Sequence, residues 1–222
     1  MSEKTRRTPA QRQSPTAKSP TVMRLFLAVP LPEPVIGFVD TIITDLQRDN
    51  WPIRWINPGN AHMTLKFLGN VSPEQTELLR IALRDPIATH AGFDLRTANL
   101  GVFPNIKRPR VLWLGLYGPA HRLQTLHDEI GAILDQLEFQ IDAAEFHPHI
   151  TLGRLKNDRS SIKTLPDRIR ARFESLQRNE QVTDKKPIPV PVREVHLVRS
   201  LTNAEGVRYE ILERFPLGEP VS

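Results

Sequence analysis

The segment His62-Met63-Thr64-Leu65 returns 87 positions later as His149-Ile150-Thr151-Leu152. That separation is too long for a local tandem, so two distant parts of the chain are held to one pattern. In a strand, side chains two apart share a face and neighbours point to opposite faces. His62 and Thr64 therefore fall on one face, with Met63 and Leu65 on the other, and His149 and Thr151 separate from Ile150 and Leu152 in the same way. A single His-x-Thr on a strand is an ordinary structural pattern, its histidine satisfied by hydrogen bonds. Two copies, each entering an apolar stretch, constrain the chain to two equivalent strands that bury one face. The other face offers two imidazoles and two hydroxyls to a cleft. Two imidazoles in one cleft can divide acid and base duties near neutral pH.

The chain has 222 residues, within the range of one domain with a substantial core. It has no cysteine, which excludes disulfides and thiolate metal sites and fits a reducing compartment. No apolar run approaches the roughly 18 residues of a membrane span, and the charged N-terminus lacks the apolar stretch of a signal peptide. The expectation is a cytoplasmic protein with no membrane partner. The basic balance belongs mostly to one end. Residues 1–22 hold Lys4, Arg6, Arg7, Arg12 and Lys18 against Glu3, a net of +4, whereas the whole chain carries +5. That segment is rich in Pro, Ser, Thr and Gln and poor in apolar residues, so it reads as a disordered basic tail. It is either a solvated extension or a weak electrostatic tether to nucleic acid. Residues 23–222 then form the folded domain.

Arg24 to Val29 reads as a strand. Val35, Ile36, Val39, Ile42, Ile43 and Leu46 recur at helical spacing behind Pro34. Ser72-Pro73-Glu74-Gln75 has the form of a capping box before a helix with Leu78, Leu79, Ala82 and Leu83 on its apolar face. Phe93 to Val102 and Val111 to Leu116 read as strands, the second nearly continuous in apolar residues, as in a strand covered on both sides. A helical stripe from Leu123 to Leu137 precedes the second histidine motif. A helix over about 161–175, a strand from Val192 to Val198 and a last strand over about 208–212 complete the pattern. Residues 177–191, with three prolines, read as a loop. Mixed elements with a repeated motif imply an α+β protein, two lobes in one unit.

In order along the chain, RLFLAVPLP at 24–32, HMTLKFLG at 62–69, GVFPNIKRPRVLWLGL at 101–116, FHPHITLGR at 146–154 and LVRSLTNAEGVRYEILERFPL at 197–217 resemble the two-histidine phosphoesterase superfamily. Within it they are most similar to the bacterial and archaeal RNA 2',3'-cyclic phosphodiesterases, also called 2'-5' RNA ligases. The resemblance implies a bilobal α+β fold, two antiparallel-rich sheets with flanking helices around a central cleft. It implies hydrolysis of RNA 2',3'-cyclic phosphate ends to a 2'-phosphomonoester without a metal or other cofactor, with reversible 2'-5' ligation as a related activity. By the same resemblance His62 is the proton donor and His149 the proton acceptor, Arg154 lies at the active site, and Phe26 lines a nucleobase pocket. A monomer acting on RNA or nucleotides with cyclic phosphate ends is the expected form.

The residues themselves suit that chemistry. Opening a cyclic phosphate with water needs a base for the water, an acid for the departing ribose oxygen, and donors for the nonbridging oxygens. In-line displacement puts nucleophile and leaving group on opposite sides of phosphorus, a geometry that two histidines on opposing walls meet. Thr64 and Thr151 can each donate to a nonbridging oxygen beside its own histidine. Zinc and magnesium sites want clustered His, Cys, Asp or Glu ligands, and the motifs carry hydroxyls in those places. His147 shares the strand face of His149 and could be a third ligand, or could orient His149. Lys66, two residues beyond Thr64, falls on the cleft face of a regular strand, as a phosphate contact or a solvated lysine. Arg154 falls on the opposite face of a regular strand from Thr151 unless Gly153 bends the strand. Trp55, Phe103 and Trp113 read as core, and Lys107, Arg108 and Arg110 as a basic turn. Three further readings stay open: hydrolysis of other small cyclic phosphates or 2'-5' oligonucleotides, a non-catalytic nucleotide- or RNA-binding module, and an RNA-associated scaffold directed by the tail.

Overall fold

The computed structural model describes residues 22–140, 145–156, 165–178, 187–204 and 206–219. The expectations for the tail over 1–21, for residues 161–164 and for residues 179–186 lie outside the described residues.

The strands are β1 (Met23–Pro30), β2 (Ile53–Trp55), β3 (His62–Val71), β4 (Phe93–Phe103), β5 (Val111–Tyr117), β6 (His149–Leu155), β7 (Pro189–Val192), β8 (Glu194–Asn203) and β9 (Gly206–Pro216). The helices are α1 (Glu33–Gln47), α2 (Pro73–Thr89), α3 (Ala120–Gln136) and α4 (Leu165–Arg178). The strands run in the order β7-β4-β5-β6-β3-β1-β8-β9, with β2 pairing β6 beside that path. Every named strand pair is antiparallel. The order reads as two four-stranded halves, β7-β4-β5-β6 and β3-β1-β8-β9, each ending in a histidine-motif strand at the centre. The α+β architecture with two antiparallel halves is therefore the one observed, and the halves are continuous through β3 and β6.

Local sequence explains the elements. Ser72 accepts from the Gln75 backbone N–H while the Gln75 side chain accepts from the Ser72 N–H, so both halves of the capping box form at α2. Its buried face is Thr76, Leu79, Leu83 and Ile87. Leu78 is exposed, because its position turns a helical step away from that stripe. Helix α1 buries Val35, Val39, Ile42, Ile43 and Leu46, as its periodicity predicts. Two segments differ from the sequence reading. Residues 189–191, expected within a loop, belong to β7, which also takes Val192, and the strand expected from Val192 starts as β8 only after a break at Arg193. Prolines are tolerated there because β7 is the outermost strand of its half, with one side free of ladder partners.

The two halves meet at Met63 and Ile150, the one register pair between β3 and β6 among the described residues. Both side chains are fully buried in the core that collects α1, α2 and α3 against one face of the sheet. Met63→Ala should cost about 2–5 kcal/mol, the usual loss for truncating a buried methionine. Urea unfolding of the purified variant checks this, and a loss under about 1 kcal/mol would mean that the junction is not a packing centre.

Candidate functional site

Continuing the Met63–Ile150 register by one residue in each direction sets Thr64 opposite His149 and His62 opposite Thr151. Residues opposite one another share a face, so the four polar side chains of the two motifs stand together on the face away from the core. The two histidines are diagonal neighbours in this square, with a separation of about 7–8 Å expected for such pairs. All four side chains are part-exposed. The repeated motif thus assembles as one site across the junction.

Each imidazole is fixed in the same manner. His62 Nδ1 lies 2.8 Å from the Asn60 carbonyl oxygen, and His149 Nδ1 lies 2.6 Å from the His147 carbonyl oxygen. A carbonyl only accepts, so in each ring Nδ1 carries the proton and, in the neutral form, Nε2 keeps its lone pair. For His62 the carbonyl comes from an excursion of the chain. Strands β2 and β3 occupy one lane beside β6, interrupted by a 3₁₀ turn at Pro58–Asn60 that Asn57 caps through its side chain. The Asn60 side chain also donates to the Val207 carbonyl (2.9 Å), which ties this turn to the β8–β9 hairpin.

Aromatic rings surround both histidines. Phe26 stacks on His62 at 4.8 Å, and Tyr209 stands edge-on to His62 at 5.2 Å and to Phe26 at 5.1 Å. Phe103 stands edge-on to His149 at 4.9 Å, with Trp113 at 6.3 Å. The indole of Trp113 lies against Gly101, where an added Cβ would sit 2.2 Å from it. Phe103 and Trp113, read as core from the sequence, are part-exposed walls of the site.

Burial pushes both histidines below the ordinary imidazole range. The backbone carbonyls oppose that effect, while the charge of each neighbourhood adds to it: His149 against His62, and Arg154 against His149. Burial raises the Tyr209 hydroxyl, against the opposing charges of Arg154 and Arg24.

Two β-bulges decide which residues join the histidines. In β6 the partner of Leu112 is Gly153 and that of Trp113 is Thr151, so Leu152 is skipped. Leu152 and Gly153 are both buried and Arg154 emerges on the face of Thr151, where its charge reaches His149 and Tyr209. In β3 the partners of Leu27 and Ala28 are Lys66 and Thr64, so Leu65 is skipped in the same way. Lys66 therefore turns to the α3 side, where burial lowers its amine and Asp128 and Asp135 oppose that shift. Its place on a cleft face holds only for a regular strand. Phe67 takes the cleft position equivalent to Arg154 and is 54% exposed. Phe26, by contrast, is 4% exposed, covered by His62, Phe67 at 6.2 Å and Tyr209. It supports the His62 ring, and the open aromatic surface beside it belongs to Phe67 and Tyr209. Neither residue stood out in the sequence reading. Aligning HMTLKF with HITLGR places Phe67 with Arg154, whereas Tyr209 has no local signal.

His147 stacks with Phe103 at 5.9 Å and pairs with Glu145 at 3.5 Å, and its carbonyl orients His149. Among the described residues no three His, Asp or Glu side chains stand where they could hold one metal ion. No described helix is long and apolar enough to cross a membrane.

The 2'-5' RNA ligase superfamily profile matches residues 39–204. The RNA 2',3'-cyclic phosphodiesterase of Aquifex aeolicus is 33% identical over 168 residues, covering 74% of this chain and 82% of that protein. The enzyme of the same name from Aeropyrum pernix is 30% identical over 188 residues, covering 80% and 94%. Among solved structures, Escherichia coli LigT bound to 3'-AMP superposes with a TM-score of 0.64 at 25% identity, covering 88% of this chain and 98% of that one. A protein from Thermus thermophilus superposes with a TM-score of 0.66 at 28% identity, covering 89% and 99%.

In the ligand-free protein the imidazole signals of His62 and His149 should both titrate below the ordinary value of about 6.5. Two-dimensional NMR of ring-labelled protein checks this. A midpoint at or above that value for either ring contradicts the dominance of burial.

Proposed function

The chain belongs to the 2'-5' RNA ligase superfamily, and from that premise we propose that it opens RNA 2',3'-cyclic phosphate ends by metal-independent hydrolysis. The observation that carries the reading is the matched pair of Nδ1–carbonyl bonds, which leaves two Nε2 atoms for one substrate on one face of the sheet. A cyclic phosphate between them has water on the His149 side and the ribose 3' oxygen on the His62 side. His149 Nε2 takes the water proton as the new P–O bond forms. Protonated His62 Nε2 gives its proton to the 3' oxygen as that P–O bond breaks, leaving a 2'-phosphomonoester and a 3'-hydroxyl. Thr64 and Thr151 donate to the nonbridging oxygens, and Arg154 neutralises the charge that builds there. An RNA 5'-hydroxyl in place of water forms a 2'-5' linkage by the same two proton transfers: His149 takes the 5'-hydroxyl proton as that oxygen bonds to phosphorus, and His62 protonates the departing 3' oxygen; cleavage of the linkage reverses the two roles. The nucleoside lies on the His62 wall, where Phe67 and Tyr209 present aromatic surface to a base and Phe26 backs the imidazole. A monomeric cytoplasmic enzyme is the form this reading takes.

Incubation of an oligonucleotide ending in 2',3'-cyclic phosphate, with EDTA present, should give a 2'-phosphate terminus. Loss of turnover with chelator, restored by a divalent metal, would falsify the metal-free mechanism. His62→Ala and His149→Ala should each lower turnover about 10²–10⁴-fold, the usual worth of one positioned acid or base. Thr64→Ala and Thr151→Ala should cost about 1.5–3 kcal/mol each, for a lost hydrogen bond to a charged group.

The pH dependence follows from the direction of the shifts. In the free enzyme one imidazole must be protonated and the other neutral, and both titrate below the ordinary range. The bell of kcat/KM should therefore peak on the acid side of about pH 6.5, with limbs that belong to the pair. The bound phosphate anion favours the imidazolium, so the bell of kcat should lie at higher pH than that of kcat/KM. Initial rates across pH 4–9 (about the imidazole range) check both; a kcat/KM optimum above about pH 7.5 rules out the depressed pair.

A further inference from the structure

Arg54 and Arg154 are direct register partners across β2 and β6. Such partners share a face with Cβ atoms about 4.5–5.5 Å apart, and like charges so opposed destabilise a sheet. Both side chains are exposed, and neither has an acidic partner among the described residues. The pairing exists because residue 153 has no side chain. A Cβ there would meet Ile53 Cγ2 at 2.5 Å and the Arg54 carbonyl oxygen at 3.1 Å, so only glycine lets β2 lie this close to β6. Arg110, also exposed, sits on the other flank, where its carbonyl accepts from the Leu155 N–H at 2.9 Å. The three arginines concentrate positive charge at one end of the cleft, in a domain whose net charge outside the first 22 residues is only +1.

The two opposed arginines are not equivalent toward the site. Arg154 acts on His149 and lies in the β6 lane, where the hydrolase reading puts the reacting phosphate. Arg54 lies one lane away, about 4.7–4.9 Å further across the sheet. A second anion held next to the reacting one would relieve the repulsion between the pair. An RNA strand supplies such an anion in the phosphodiester that precedes its last nucleotide, and a mononucleotide does not.

We propose that Arg54 binds the phosphodiester immediately 5' to the reacting nucleotide and so favours an RNA strand end over a free cyclic mononucleotide. The proposal rests on the hydrolase reading above. The guanidinium donates to the nonbridging oxygens of that group, which stays intact through the reaction, and Arg154 is left to the reacting phosphate.

The test compares a dinucleotide or longer RNA ending in 2',3'-cyclic phosphate with the corresponding nucleoside 2',3'-cyclic phosphate, for wild type, Arg54→Ala and Arg54→Lys. In Arg54→Ala the ratio of kcat/KM for the RNA to that for the mononucleotide should fall about three- to tenfold, through KM, as for an exposed charge-assisted contact. The dependence of log KM for the RNA on log salt should become shallower by about 0.7, the worth of one single-strand phosphate contact. Arg54→Lys keeps the charge and should retain the wild-type salt slope. If wild type turns over neither substrate, the hydrolase reading fails. Turnover of both by wild type, with an unchanged ratio and salt slope in Arg54→Ala, overturns the proposal alone. Equal losses on both substrates also overturn it and would place Arg54 on the reacting phosphate.

Discussion

The contact between Met63 and Ile150 is where the two halves of the sheet become one. Each residue sits between the histidine and threonine of its own motif, so burying the pair turns all four polar side chains the other way. The apolar contribution and the functional geometry are thus two faces of the same two strands. Sheet register has a period of two, and a slip of one residue would bury the imidazoles and expose the methionine and isoleucine. The burial of this pair therefore selects the alignment that the site requires.

The bulges act on that alignment. Both motif strands skip a leucine, Leu65 in β3 and Leu152 in β6. Up to the bulge the two strands are alike; past it they present different chemistry from equivalent positions, Phe67 on one side and Arg154 on the other. A symmetric frame thereby gains one aromatic wall and one cationic wall. In the proposed function the first faces a base and the second a phosphate, which would set a single orientation of a nucleotide between the two histidines.

The histidines are fixed from behind by backbone, not by carboxylates. The Asn60 and His147 carbonyls choose the tautomer without adding a negative charge that would hold the rings protonated. Burial then shifts both rings toward the neutral form in the free protein. In the proposed reaction an arriving phosphate anion would favour the imidazolium and so couple proton uptake to substrate. The Asn60 side chain adds a mechanical link, since the β8–β9 hairpin that carries Tyr209 is tied to the turn that orients His62.

The sequence by itself determined the α+β class, the main helices and strands, and the pairing of two histidines with two threonines. Each of these depends on local periodicity, a cap, or a repeat that alternation can read. The pairing of β3 with β6 lay beyond it, because contact between segments 87 residues apart is settled by competition among all strands for the same core. The facing of Lys66, Phe67 and Arg154 depends on bulges, which register with a neighbouring strand creates and one strand's alternation cannot reveal. Strand β7 escaped notice because its prolines read as loop until the outer place in the sheet order is known. Tyr209 and Arg54 carry no motif at all. Tyr209 comes to His62 only because the β8–β9 hairpin folds over it, and Arg54 to Arg154 only because Gly153 admits β2 against β6; both are contacts that only the tertiary structure creates.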